Sequence, residues 1–64
     1  MRLTDFWNRM HRNFGETYAE SFARDYVIEE LDGRTVERAL AQGVDAKHVW
    51  RAVCEAMGLP ERER

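Results

Sequence analysis

The sequence has few of the residues that mark secreted, membrane or cofactor-binding proteins. Its 64 residues include a single cysteine, Cys54, and a single proline, Pro60. One cysteine excludes an internal disulfide framework and is typical of a reducing cytosol. No apolar run approaches the ~18 residues of a membrane span, and residues 1–14 lack the continuous apolar segment of a secretory signal. We therefore expect a cytoplasmic protein that does not cross a membrane.

Motifs for catalysis and for metal or cofactor binding are also lacking. His11, His48 and Cys54 do not have the close spacing of zinc ligands. Cys54 falls on the apolar side of a predicted helix, where burial makes a thiol unreactive. The glycines are isolated, as they are at helix ends, rather than grouped into a phosphate-binding loop. We expect no catalytic residue, no cofactor and no metal, so an enzyme is the least favoured class.

Charge is abundant but unevenly distributed. Charged residues make up 34% of the chain, and the net charge is −2. Residues 1–15 carry three arginines and one aspartate, whereas residues 16–33 carry six acidic residues and one arginine. A general nucleic-acid-binding protein is usually basic, because phosphate neutralisation supplies most of its affinity. The balance here favours local charged patches over a general nucleic-acid-binding surface.

Apolar residues recur at helical spacing through the first half of the chain. In residues 3–14 they follow the i, i+3, i+4, i+7 pattern of an amphipathic helix, with Thr4 as the predicted N-cap and Gly15 as the stop. A second helix is predicted over 16–31, and the Asp-Gly pair that follows ends it. The two apolar stripes comprise Leu3, Phe6, Trp7, Met10 and Phe14, then Tyr18, Ala19, Phe22, Ala23, Tyr26, Val27 and Leu31.

The second half of the chain predicts two further helices. Thr35 is placed to cap a short helix that ends at Gly43, and Asp45 is placed to cap a fourth helix. Trp50 is assigned to the core, as are most of the aromatic residues, rather than to a stacking surface for nucleic acid. The fourth helix is predicted to be largely buried and to end at Gly58, since its apolar arc is wide. Its narrow polar stripe consists of His48, Arg51 and Glu55.

These patterns together predict the fold class. A chain of 64 residues holds one domain, and no stretch shows the polar–apolar alternation of a strand, so no sheet is expected. We predict an all-α fold, a compact bundle of three to four short helices with a helix-turn-helix-like C-terminal half. The single helical domain covers residues 1–60, and residues 61–64 are expected to be a frayed tail.

Residues 35–53, TVERALAQGVDAKHVWRAV, have the outline of a helix-turn-helix. Ala39 is small where the two helices approach each other, and Gly43 falls at the turn. Arg38 and Gln42, in contrast, occupy positions that are normally apolar in such motifs. The alternative function is therefore a DNA-binding helix-turn-helix protein that uses the second helix of residues 35–57. Its expected nucleic-acid-binding residues are Lys47, His48, Arg51, Arg34 and Arg38.

The leading interpretation is a non-enzymatic helical interaction module that binds a protein partner. A basic first helix beside an acidic second helix suggests complementary faces, which steer association and select partners. The same faces can pair two copies, so we expect a monomer or a weak homo-oligomer. The candidate partner-binding residues are Arg2, Arg9 and Arg12 on the basic side and Glu16, Glu20, Asp25 and Glu29 on the acidic side.

Four segments, MRLTDFW, YAESFARDYVIEEL, GRTVERALAQGVD and VWRAVCEAMGLP, span nearly the whole chain. Together they resemble a small actinobacterial family known as domain of unknown function number three thousand and forty-six. The resemblance implies a cytoplasmic, all-helical, single-domain protein with no established activity, and it brings no catalytic or binding residues. Genes of this family lie near the gene for recombinase A, which implies a context of DNA repair or recombination.

Overall fold

Residues 1–60, the part of the chain that this computed structural model describes, form four α-helices joined by short connections. Helix α1 is Leu3–Phe14, α2 is Glu16–Asp25, α3 is Val36–Ala41 and α4 is Ala46–Met57. The predicted all-α class is confirmed, and principal extents of 24 × 23 × 21 Å agree with a bundle of short helices. The tail, residues 61–64, for which fraying is predicted, lies outside the described residues.

Helix α1 begins earlier than the sequence predicts. The backbone N–H of Phe6 donates to the carbonyl of Arg2 at 3.0 Å, so Arg2 is the N-cap residue, and its side chain forms no cap hydrogen bond. Thr4 lies inside the first turn, and the prediction that it caps the helix is wrong. The helix ends as predicted at Gly15, which adopts a φ of 82°. Glycine tolerates this angle because it has no Cβ atom.

The segment after α2 differs most from the prediction. The sequence predicts one helix over 16–31, but α2 ends at Asp25 and a two-stranded antiparallel sheet follows. Strand β1 is Val27–Ile28, strand β2 is Arg34–Thr35, and a 3-10 helix, Glu29–Leu31, lies between them. The prediction that the chain contains no sheet is therefore wrong. Strands of two residues are too short to show the alternation by which strands are recognised.

A tight turn closes this short sheet. Asp32 is in the left-handed region with φ 58°, and Gly33 follows with φ 76°. The backbone N–H of Gly33 donates to the carbonyl of Ile28 at 3.2 Å. Val27 and Ile28 are β-branched, which favours an extended backbone over a continued helix. The Asp-Gly pair thus ends the 3-10 helix and leads into β2, rather than ending α2.

Side-chain caps position the helices of the C-terminal half as the sequence predicts. The hydroxyl Oγ1 of Thr35 accepts the backbone N–H of Arg38, and Oδ1 of Asp45 accepts that of Lys47, both at 3.2 Å. Each bond satisfies a backbone donor that has no partner within its helix. Gly58 ends α4 with a φ of 64°, which confirms the predicted stop.

All four helices contribute to the core, and Ile28 and Leu31 of the strand–turn–strand unit extend it. Trp50 has no exposed surface, which confirms its predicted place in the core, and its ring meets that of Phe6 edge-on at a centroid distance of 6.0 Å. Such T-shaped pairs are favourable because the positive edge of one ring faces the negative face of the other. The buried apolar residues are Phe6, Met10, Ala19, Phe22, Ala23, Ile28, Leu31, Val36, Ala39, Ala46, Val49, Trp50, Ala52, Val53 and Cys54.

Four residues of the predicted apolar stripes lie on the surface instead. Leu3, the first residue of α1, is 54% exposed, and Tyr18 is 51% exposed. Tyr26 and Val27 are exposed because α2 ends just before them, so that they no longer continue its buried face. The break after Asp25 thus moves apolar side chains from the core to the surface.

The substitution Trp50→Ala is expected to lower the free energy of unfolding by about 3–5 kcal/mol, the usual cost of truncating a buried aromatic side chain. Trp50→Phe keeps a ring against Phe6 and is expected to lose less. Urea unfolding followed by circular dichroism measures both changes. Leu3→Ala is the control, and its exposed position predicts a change within about 0.5 kcal/mol. An unaltered unfolding midpoint for Trp50→Ala would contradict its place in the core.

Candidate interaction site

The residues predicted to bind DNA lie on separate surfaces. Arg34 and Arg38 line a cleft beside β2 and α3. His48 and Arg51 line a different cleft on α4. Lys47 is exposed in the first turn of α4 and lines neither of them. The structure therefore divides the predicted basic set instead of joining it into one surface.

The cleft on α4 combines basic and acidic side chains. Its volume is about 320 Å³, and Glu30 and Glu55 line it together with Arg51. Carboxylates at this position repel phosphate. Glu55, which continues the polar stripe of α4 one turn after Arg51, is exposed and acidic. The basic surface of α4 is thus limited to its first two turns.

The residues predicted to bind a protein partner are also distributed differently from the expectation. Of the three arginines near α1, two are exposed and Arg9 is half-buried. On α2, Glu16 and Glu20 lie one turn apart on the same side, whereas Asp25 lies on the side opposite Glu16. Glu29 lies in the 3-10 helix, beyond the end of α2. The acidic residues therefore do not form the single helix face that the sequence predicts.

A third arginine, Arg24 of α2, joins Arg34 and Arg38 in one cleft of about 420 Å³. Exposed Val27 and Ala41 contribute to its wall. We call this feature the arginine cleft. Sequence reasoning missed Arg24 because it is the one basic residue of an acidic segment. The spacing of residues along the sequence does not place Arg24 near Arg34 and Arg38. Only the packing of α2 against α3 and β2 brings the three arginines together.

A second cleft, of about 460 Å³, continues from the arginine cleft, and the two share Arg24 and Glu37. Trp7 and His11 of α1 line its far end, with ring centroids 6.2 Å apart, and Glu20 lies beside them. The two clefts are adjacent, and we call the pair the α2–α3 groove. It carries an aromatic ring at one end and arginines at the other.

Positive charge in the arginine cleft is only weakly compensated. Nε of Arg24 lies 3.6 Å from Oδ1 of Asp25, and Nη1 of Arg34 lies 3.6 Å from Oδ2 of Asp32. Arg24 and the two aspartates are largely exposed and Arg34 is half-buried, and ion pairs at such solvent-accessible positions contribute at most about 1 kcal/mol. Within residues 1–60, Arg38 forms no ion pair. The cleft therefore presents guanidinium groups that are available to an anionic ligand.

A row of aromatic rings follows α2 and forms a second exposed feature. Phe22 stacks on Phe14 at 5.4 Å and on Tyr26 at 4.8 Å, with 19° between the ring planes in both pairs. Tyr18 packs against Phe14 at 5.9 Å. Because Phe22 is buried and both tyrosines are partly exposed, the row joins the core to the surface. These rings do not line the α2–α3 groove.

Other chemical features are limited in the described part of the chain. Cys54 is buried, as predicted. Residues 1–60 contain no group of three or more His, Cys, Asp or Glu side chains that is placed to hold a metal ion. Among the same residues, no helix has both the length and the apolar character needed to cross a bilayer.

Fold and groove together define a small, mostly helical domain with a charged surface groove. Residues 1–62 match the model of a family described as Protein of unknown function (DUF3046), and the chain belongs to that family. The family resemblance carried by the four sequence segments is thereby confirmed. No curated protein and no solved structure is significantly similar to the chain.

Cys54 is expected to react slowly with a maleimide in the folded protein, because its side chain has no exposed surface and is reached only when the structure opens. Unfolding in urea is expected to restore the rate of an ordinary peptide thiol. Mass spectrometry of timed samples measures both rates. Rapid labelling of the folded chain would contradict the burial of the thiol and would favour a reactive nucleophile.

Proposed function

We propose that this chain is a non-enzymatic interaction module that binds a protein partner in the α2–α3 groove. One observation carries the proposal: two adjacent clefts of the groove hold Trp7 in one and Arg34 and Arg38 in the other, with Arg24 lining both. Tryptophan and arginine are enriched among the residues that contribute most to binding at protein interfaces. The groove therefore has the composition of a recognition surface.

The shape of the groove favours an extended segment over a compact small molecule. Its two clefts have volumes of about 460 and 420 Å³ and meet at Arg24 and Glu37. A segment lying along both clefts contacts α1, α2 and α3, which the core holds together. Because these elements are packed, little ordering of the groove is needed on binding, and preorganisation of this kind lowers the cost of association.

The remaining parts of the proposal concern chemistry, assembly and location. The burial of Cys54 supports a non-enzymatic role, because a nucleophile must reach its substrate. We place the module in the cytoplasm as a monomer or weak homo-oligomer. We also place it in the context of DNA repair or recombination that the family resemblance implies.

DNA binding through α4 is the second candidate function. It is favoured by the exposure of Lys47, His48 and Arg51 on the first two turns of a capped helix. It is disfavoured by Glu30 and Glu55, which line the same cleft as Arg51. In a titration with mixed-sequence duplex at low salt, this candidate predicts a complex that Arg51→Ala weakens. A duplex that forms no complex would remove it.

The substitution Ala41→Tyr is expected to reduce the amount of partner captured from a native lysate of the source cell by about tenfold or more. Ala41 is exposed and lines the arginine cleft, so a tyrosine side chain occupies the groove without changing its charge. A loss of about 1.4 kcal/mol in binding corresponds to that factor. Quantitative mass spectrometry compares the proteins that the natural chain and the variant retain.

Gln42→Tyr is the matched control. Gln42 is the next residue along the chain, is exposed and does not line the groove, so the same side chain is added outside the proposed site. Circular dichroism checks that both variants fold. A partner that Ala41→Tyr and Gln42→Tyr retain equally, or a chain that retains no specific protein, would contradict the proposal.

A further inference from the structure

We propose that the arginine cleft binds an acidic, extended segment of the partner, with the carboxylates of that segment on Arg24, Arg34 and Arg38. This inference rests on the proposed function, since it names the chemistry of the partner that the α2–α3 groove receives. It is carried by the charge, the accessibility and the apolar wall of the cleft.

Charge is the first argument. The whole chain has a net charge of −2, yet the cleft carries three arginines and one glutamate, Glu37. The arginines come from three elements: Arg24 from α2, Arg34 from β2 and Arg38 from α3. Their convergence is a product of the fold, and it brings three guanidinium groups together on an acidic protein. Such a site attracts an anionic segment and orients it.

The existing ion pairs leave the arginines able to take a new partner. Arg24 and Arg34 are each 3.6 Å from an exposed aspartate oxygen, which is longer than the ~2.7–2.9 Å of a charge-assisted hydrogen bond. A ligand carboxylate that forms two parallel hydrogen bonds with a guanidinium group offers better geometry. Arg38 has no ion pair within the described residues. Nη1 of Arg34 also donates to the backbone carbonyl of Leu31, at a long 3.5 Å. Binding therefore exchanges long, weak contacts for closer ones.

The apolar wall of the cleft favours a polypeptide over a nucleic acid. Val27 is 57% exposed and Ala41 is also exposed. An apolar side chain that lies between two acidic residues of the bound segment can therefore bury its surface against Val27 and Ala41. The carboxylate of Glu37 repels a continuous run of negative charge such as a phosphate backbone. It can accept a backbone N–H of a peptide in which other residues separate the acidic ones. The segment is therefore rich in aspartate or glutamate and carries apolar residues at intervals between them.

The test is an NMR titration of the full 15N-labelled chain with an acetylated, glutamate-rich peptide that carries leucine at every third position. We expect amide shifts at Arg34, Thr35 and Ala41. Arg38→Gln is expected to raise the dissociation constant for the peptide about fivefold. This factor corresponds to the ~1 kcal/mol of an exposed charge contact. The substitution leaves the bond between the Arg38 backbone N–H and Thr35 in place, so the cap of α3 is retained.

Three comparisons decide the outcome. Arg51→Gln removes an exposed arginine outside the cleft, and an equal loss of affinity in this variant would show unspecific attraction and overturn the inference. Equal binding of the same peptide with glutamine in place of glutamate would also overturn it, as would an absence of shifts. Binding of a mixed-sequence duplex that Arg38→Gln weakens, without peptide binding, would assign the cleft to phosphate instead. If the acidic peptide does not bind specifically while Ala41→Tyr still lowers partner capture, the proposed function is retained. Only the inference that the partner segment is acidic is then wrong.

Discussion

The indole of Trp50 has no exposed surface and meets the ring of Phe6 edge-on, and this contact ties the last helix to the first. A chain of this length buries only roughly 60% of the surface that its unfolded form exposes, so it depends on a few large side chains. Because α4 turns Val49, Trp50 and Val53 inward, it has little surface left for other tasks. The α2–α3 groove is lined by residues of the other elements and by none of α4.

The parts of the fold that depend on neighbouring residues could be predicted from the sequence. Gly15, Thr35, Asp45 and Gly58 act within one helical turn, and each ends or caps a helix as expected. The strand–turn–strand unit could not be predicted in the same way, because its two-residue strands carry no periodic signal. Its stability comes from pairing across the turn and from burial of Ile28, which are properties of the folded chain.

The arginine cleft depends on the strand–turn–strand unit, which the sequence did not predict. If α2 continued through 16–31, β2 would have no strand to pair with, and the packing of α2 against β2 and α3 that gathers the arginines would be lost. Arg34 and Arg38 were recognisable from the sequence as basic residues near a helix start, but Arg24, which lines the same cleft, was not. A charge pattern read along the chain therefore identified individual arginines, and tertiary contacts between distant segments determined which of them meet.

The two tryptophans occupy distinct environments, and this has a spectroscopic consequence. Trp50 is enclosed by the core, whereas Trp7 is half-buried and lines one end of the α2–α3 groove. A water-soluble quencher such as iodide therefore reaches Trp7 and is kept from Trp50 while the chain is folded. The natural protein thus carries two built-in fluorescent reporters. Emission from Trp7 follows occupation of the groove, and emission from Trp50 follows integrity of the bundle.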